Sequence, residues 1–137
     1  MAELVMIAPL LLLVLLGLVE AGRASNLALT VASAARAGVQ YGAQNHTTAA
    51  DTNGMQTAAT GDANLTGVSA VASTYCLCED MTASTCGLAG ACSTNHQNTY
   101  VKVVVTGTET SLLNYAALPA GLRTVTITTS ASMRVMQ

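Results

Sequence analysis

Four cysteines lie close together in the middle of the chain, and their spacing suggests two kinds of chemistry. Cys76, Cys78, Cys86 and Cys92 follow the pattern C-x-C-x7-C-x5-C. Four thiolates can hold structural zinc, although such sites more often use cysteine pairs separated by about two to four residues. An even number of cysteines beside an export-type apolar segment instead predicts two disulfides formed in an oxidising compartment. We therefore expect two disulfides and no metal.

The order of these cysteines does not fix how they pair. If Cys76 and Cys78 lie on a strand, they face the same side, because side chains alternate along a strand. Each can then reach either Cys86 or Cys92. We expect a nested arrangement, with Cys76 bonded to Cys92 and Cys78 bonded to Cys86.

The other reactive residue types show no arrangement typical of an active site. His46 and His96 lie in polar stretches, and no Ser-His-Asp set or pair of glutamates stands at an informative spacing. The acidic residues of the central region are typical of solvated loops: Asp51, Asp62, Glu79 and Asp80. We expect neither catalysis nor a cofactor.

The charged residues are few and scattered. Five basic residues stand against seven acidic ones, for a net charge of −2, so no basic patch can neutralise the phosphates of a nucleic acid. The region after residue 43 is rich in Ser and Thr. Within it, Asn45-His46-Thr47 and Asn64-Leu65-Thr66 match the N-glycosylation pattern, so Asn45 and Asn64 are candidate glycan sites.

An apolar segment from Leu4 to Val19 opens the chain and predicts a helix. Its 16 residues would span about 24 Å, somewhat less than the roughly 30 Å hydrocarbon core of a bilayer. The periodicity then continues as one apolar stripe: Ala24, Leu27, Ala28, Val31, Ala35 and Val39. These features predict one helix over residues 2–43, kinked at Pro9 because proline lacks an N–H.

Glu3 is an acid at the start of this apolar segment and needs its own explanation. A carboxylate in hydrocarbon costs about 2.5–3.5 kcal/mol even by lenient scales, and it usually has a partner. Three interpretations are open: a cleaved signal peptide, since Gly22-Arg23-Ala24 resembles a cleavage site, a plain membrane anchor, or a segment for helix-to-helix assembly. The acidic start and the uninterrupted stripe favour assembly.

The rest of the chain predicts a small head built on a sheet. Alternating and β-branched residues predict strands over 66–78, 98–106 and 122–135, with a short helix over 55–63 and a link over 111–121 that contains Pro119. The fold class is therefore α+β. We divide the chain into an N-terminal helix (residues 1–43, with an apolar half, 1–22, and an amphipathic half, 23–43) and a disulfide-bonded head (residues 44–137).

A family resemblance rests on these same residues. The run from Glu3 to Pro9, the leucines after it, and Gly17, Glu20 and Arg23 are similar to the N-terminus of the TadE-like family of type IV pilin-like proteins, from the tight-adherence system. The second half of the chain also resembles that family, in Tyr-Cys-Leu-Cys at 75–78, Tyr-Val-Lys-Val-Val-Val at 100–105, Ala-Leu-Pro at 117–119 and Ser-Ala-Ser-Met-Arg at 130–134.

The resemblance implies a pilin-like structural subunit of an extracellular filament. In such a filament the carboxylate of Glu3 would neutralise the N-terminal ammonium of a neighbouring copy, because a desolvated charge is kept where an opposite charge lies close. The helices would pack through these apolar residues: Pro9, Leu10, Leu11, Leu12, Leu13, Leu15 and Leu16.

The same resemblance implies particular partners and locations. The subunit would sit in the cytoplasmic membrane before assembly, would be handled by pilus assembly machinery, and would then form a helical homo-oligomer used in adherence. Two other interpretations remain open. One is a monomeric membrane-tethered binding or adhesin module, and the other is a small secreted protein released by signal cleavage.

Overall fold

A computed structural model describes residues 2–88, 91–92, 96–112 and 123–136, with the backbone alone for residues 2–6. A long helix is followed by two short helices and a four-stranded antiparallel sheet. The predicted α+β class is confirmed, with a long N-terminal helix packed on a small disulfide-bonded sheet.

The long helix α1 spans Ala2–Gly42 and continues through Pro9, so the predicted single helix is confirmed and ends one residue before the predicted bound. The predicted kink at Pro9 stays a prediction. Leu27, Val31 and Val39 from the predicted stripe are buried. Gly38 is buried too, because α1 comes so close to its neighbours that a Cβ there would lie 3.0 Å from the Met55 carbonyl oxygen.

Two short helices follow, α2 at His46–Ala50 and α3 at Thr52–Ala63. The Asn45 side chain accepts a hydrogen bond from the Thr48 backbone N–H at 2.9 Å, which caps α2. Asp51 caps α3 in the same way through the Gly54 N–H, at 2.9 Å. The helix predicted over 55–63 is confirmed, and it begins earlier than predicted because Asp51 supplies this cap.

The sheet contains β1 (Val68–Cys78), β2 (Ala83–Ser84), β3 (Gln97–Thr110) and β4 (Thr124–Arg134), in the order β2-β1-β3-β4. The three predicted strands and their antiparallel pairing are confirmed, whereas β2 was not predicted. Residues 113–122, most of the predicted link with Pro119, lie outside the described residues.

The sheet has one covered side and one open side. Val101, Val103 and Val105 of β3 are fully buried, and α1 and α3 pack against them. Side chains alternate along a strand, so the positions between them form the opposite side, which we call the outer face. It consists of odd-numbered residues 69–77 of β1 and even-numbered residues 98–110 of β3 and 124–134 of β4.

Candidate functional site

The start of α1 carries an apolar surface that no other described part of the chain covers. We call residues 7–19 the uncovered half of α1. Apart from the half-buried Leu16, its large apolar side chains retain 43% to 68% of their accessible surface: Ile7, Leu10, Leu11, Leu12, Leu13, Val14, Leu15, Leu18 and Val19. Among the described residues, Ile7–Gly42 is one helix long and apolar enough to cross a membrane.

Two polar contacts with the head follow this apolar surface along α1. Arg23 Nη2 lies 3.3 Å from Glu109 Oε2 at the end of β3, and the Leu112 backbone N–H donates to Glu20 Oε2 at 3.3 Å. Leu27, one turn further on, is buried. We call residues 27–42 the covered half of α1. The head therefore begins to hold the helix between Glu20 and Leu27.

The residues predicted to mediate assembly lie on the uncovered half. Pro9 is exposed inside α1, as are Leu10–Leu13 and Leu15, whereas Leu16 is half-buried. The structure thus brings these residues together on the uncovered half of α1. The side chain of Glu3 lies outside the described residues, so its role in assembly stays a prediction.

The four cysteines form two disulfides, as expected, but the nested pairing predicted from the sequence is wrong. Cys76 is bonded to Cys86, and Cys78 is bonded to Cys92, so the two bridges interleave along the chain. The reason is β2, whose Ser84 pairs with Cys76 and brings Cys86 beside it. This short strand has no clear sequence signal, so the pairing could not have been read from cysteine spacing.

Gln97 also fixes the loop that the disulfides close, which the sequence did not reveal. Its Nε2 donates to Ser84 Oγ and to the Thr85 carbonyl, both at 2.8 Å, and its Oε1 accepts from the Gly87 N–H at 3.0 Å.

Every cysteine sulfur is engaged in a disulfide, so these cysteines do not form a zinc site. Among the described residues, no three His, Cys, Asp or Glu side chains gather as a metal site.

The remaining polar candidates lie apart from one another. Asp51 accepts from Tyr41 and Asp62 accepts from Ser33, so both brace the helices. Hydrogen bonds from the Thr82 hydroxyl, at 2.6 Å, and from its backbone N–H, at 3.2 Å, lower the pKa of Asp80 below its ordinary value of 3.8. His46 and His96 are exposed.

The two candidate glycan sites are both at the surface. Asn45 is exposed at the start of α2, and Asn64 is exposed at the end of α3, where its φ of 44° ends the helix. Asn45 uses its side-chain oxygen as a helix cap. Glycosylation of either residue stays a prediction.

A second surface feature lies on the outer face and was missed in the sequence. The rings of Tyr75 and Tyr100 stack across β1 and β3 with centroids 5.5 Å apart and planes inclined by 15°. Arg134 of β4 is the direct neighbour of Tyr100. A cleft of about 240 Å³ adjoins this group and is lined by Glu79, His96, Gln97, Asn98 and Arg134. The strand register, which the sequence does not supply, brings these residues together.

Comparison with known proteins bears on α1. A search of curated proteins and a search of solved structures gave no match. The family model described as TadE-like protein matches residues 1–40, which is nearly the whole of α1, while the resemblance noted at 75–78, 100–105, 117–119 and 130–134 lies beyond the match. The match indicates a Tad pilus-related protein with an apolar N-terminal helix, and such a helix fits a membrane or pilus location. The resemblance of this chain to the TadE-like family is thereby confirmed over residues 1–40.

Proposed function

We propose that the chain is a structural subunit of an extracellular, Tad-type filament, and that it assembles through the uncovered half of α1. One observation carries the proposal: large apolar side chains lie all around residues 7–19, and no described part of the head covers them. A helix that is apolar on every side requires lipid or other protein around it. Copies of the same helix supply such surroundings once the subunit leaves the membrane.

The join between helix and head supports this proposal. The described part of the head holds the second part of α1, through the buried Leu27, Val31 and Val39 and the contacts of Glu20 and Arg23. The uncovered half therefore stands clear of the described part of the head, and its apolar side chains can pack against those of other copies. Burying a leucine or valine side chain away from water is worth about 1.5–3 kcal/mol, so this helix can leave the membrane only where copies of it replace the lipid.

Glu3 is the residue whose change tests the proposal. Glu3→Gln removes the charge that would pair with the terminal ammonium of a neighbouring copy while keeping nearly the same shape. We expect the variant to insert into the membrane normally and to form no filaments in negative-stain images of sheared cell fractions. Glu20→Gln is the matched control, because it makes the same change on the same helix where the acid contacts its own head.

Two results would contradict this proposal. If wild-type protein remains monomeric in the membrane under conditions of pilus production, the chain is a tethered binding module rather than a subunit. If Glu3→Gln and Glu20→Gln form filaments as well as the wild type does, the role given to Glu3 is wrong. Mass spectrometry of the mature chain adds a check, because a species that starts at Ser25 would lack the whole uncovered half.

A further inference from the structure

The outer face of the sheet has a composition that the proposed function does not explain. Ten of its eighteen positions are Ser or Thr, and its two charged residues, Lys102 and Arg134, are both basic. The face is turned away from α1 and α3, which pack on the opposite side. A chain with a net charge of −2 thus presents, on one side of its head, a hydroxyl-rich face whose charged residues are both basic.

We propose that the outer face binds an anionic polysaccharide, whose carboxylate groups contact Arg134 and Lys102 and whose sugar rings lie against the Tyr75–Tyr100 pair. The inference deepens the proposed function, on which it rests for the outward orientation of this face in a filament. The binding chemistry itself belongs to the single chain.

The two cations are close together and have no ion-pair partner among the described residues. Lys102 pairs across the sheet with Ser132, and Arg134 lies two residues further along β4, so the two positions are diagonal neighbours about 7–8 Å apart. Like charges at this distance repel each other, and an external anion between them relieves that repulsion.

Most described acids of the chain are engaged elsewhere. Glu109 pairs with Arg23 and Asp62 accepts from Ser33. Asp51 caps α3 and Asp80 accepts from Thr82. Glu79 lines the cleft beside Arg134 without forming an ion pair with it in the described structure. The guanidinium of Arg134 is therefore free to take a carboxylate through two parallel hydrogen bonds, the geometry that arginine favours.

The aromatic and hydroxyl groups indicate a sugar as the bearer of the anion. Tyr75 and Tyr100 are half-buried, and each combines an apolar ring with a hydroxyl, as does a sugar with its C–H faces and hydroxyl groups. The cleft next to Arg134 adds the amide of Asn98 and the imidazole of His96. Amides and hydroxyls both donate and accept, which suits the mixed hydrogen bonding of a polysaccharide.

Two other classes of partner fit this face less well. Nucleic-acid binding depends on neutralising several phosphates, and two cations do not provide that. The core of a protein interface is typically depleted in charge and rich in aromatic residues and Met, whereas the outer face is mostly Ser and Thr. The observations favour a polysaccharide.

The test measures binding by the full chain, unassembled in lipid nanodiscs, so that filament formation does not enter. The probes are alginate oligosaccharides, dextran oligosaccharides of equal length as the neutral control, and single-stranded DNA. We expect alginate to bind, dextran to bind much more weakly, and Arg134→Gln to raise the Kd for alginate about tenfold or more, because it removes the charge-assisted hydrogen bonds to the carboxylate. Lys102→Gln should act in the same direction.

Matched variants separate this site from general charge. Arg36→Gln removes an exposed cation from α1, away from the outer face, and should leave the alginate Kd unchanged. Tyr100→Leu should weaken binding while Tyr100→Phe, which keeps the ring, should weaken it less, and thermal unfolding of both variants shows whether the head remains folded.

Several outcomes would overturn the inference: no alginate binding, equal binding of dextran, tighter binding of DNA, or an equal loss in Arg36→Gln. Filament formation is scored separately. A chain that forms filaments but does not bind alginate keeps the proposed function and loses this inference. A chain that binds alginate but never assembles keeps this inference and loses the proposed function.

Discussion

The two halves of α1 belong to one continuous helix, but the described part of the head buries only the covered half. The uncovered half has leucine and valine on every side, whereas the covered half has them, apart from the exposed Leu29, on one stripe and places small residues such as Ala34 and Gly38 beside them. A single apolar stripe can be buried by one sheet and one short helix of the same chain. The uncovered half is apolar on every side, and no described part of the chain buries it.

The small residues of the covered half explain why its packing is so close. At Gly38 a Cβ would lie 3.1 Å from both the Ala59 Cβ and the Val103 Cγ1. At Gly22, between the two halves, a Cβ would meet nothing within 4 Å. The difference shows that glycine is a packing requirement in one half of the helix and not at the boundary.

The largest contrast is expected between two leucines that are two residues apart. Leu27 is 2% exposed and Leu29 is 72% exposed, so they face opposite sides of the same turn. Leu27→Ala should lower the free energy of unfolding of the head by about 2–5 kcal/mol, because it leaves a cavity under the sheet. Leu29→Ala should change it by less than about 0.5 kcal/mol.

Denaturant unfolding of the full chain in detergent, followed by the near-ultraviolet circular dichroism of the tyrosines, measures both values. The disulfides are kept oxidised so that both variants share one unfolded state. Similar losses for the two variants would mean that α1 does not pack on the head as described.

A smaller effect is expected from glycine substitutions. Gly38→Val should destabilise the head by about 1–3 kcal/mol, because the added methyl groups force α1 away from α3 and β3. Gly22→Val, with open space around its Cβ, should stay within about 0.5 kcal/mol of the wild type. The same unfolding assay compares them, and equal effects would show that helix propensity rather than packing decides.

The sequence predicted the parts of the fold that depend on local periodicity. The stripe at Leu27, Val31, Ala35 and Val39 identified the covered side of α1, and the β-branched runs identified the long strands. Strand β3 continues past Gly107 to Thr110, whereas the predicted strand ended at residue 106. Glycine fits there because a Cβ would lie 2.7 Å from Val31 Cγ2 of α1, a contact that no local pattern reveals.

The features that escaped prediction depend on register. The two-residue strand β2 determines which cysteines meet, and its own sequence, Ala-Ser, carries no strand signal. The neighbours on the outer face, such as Tyr100 with Arg134, are far apart in sequence and follow from pairing of whole strands. The uncovered half of α1, in contrast, can be predicted from composition alone, because its run of leucine and valine depends on no strand pairing.

The smallest effect concerns the ion pair at the boundary between the halves. Arg23 and Glu109 lie 3.3 Å apart with side chains 38% and 32% exposed, so solvent screens their attraction. A double-mutant cycle with Arg23→Gln and Glu109→Gln should give a coupling of about 0.2–1 kcal/mol. The coupling should vanish at about 1 M salt, where the screening length falls to about 3 Å. Arg36→Gln combined with Glu109→Gln is the control and should be additive. A coupling of zero at low salt would mean that Arg23 does not help to hold α1 on the head, and that this attachment begins at Leu27, where burial begins.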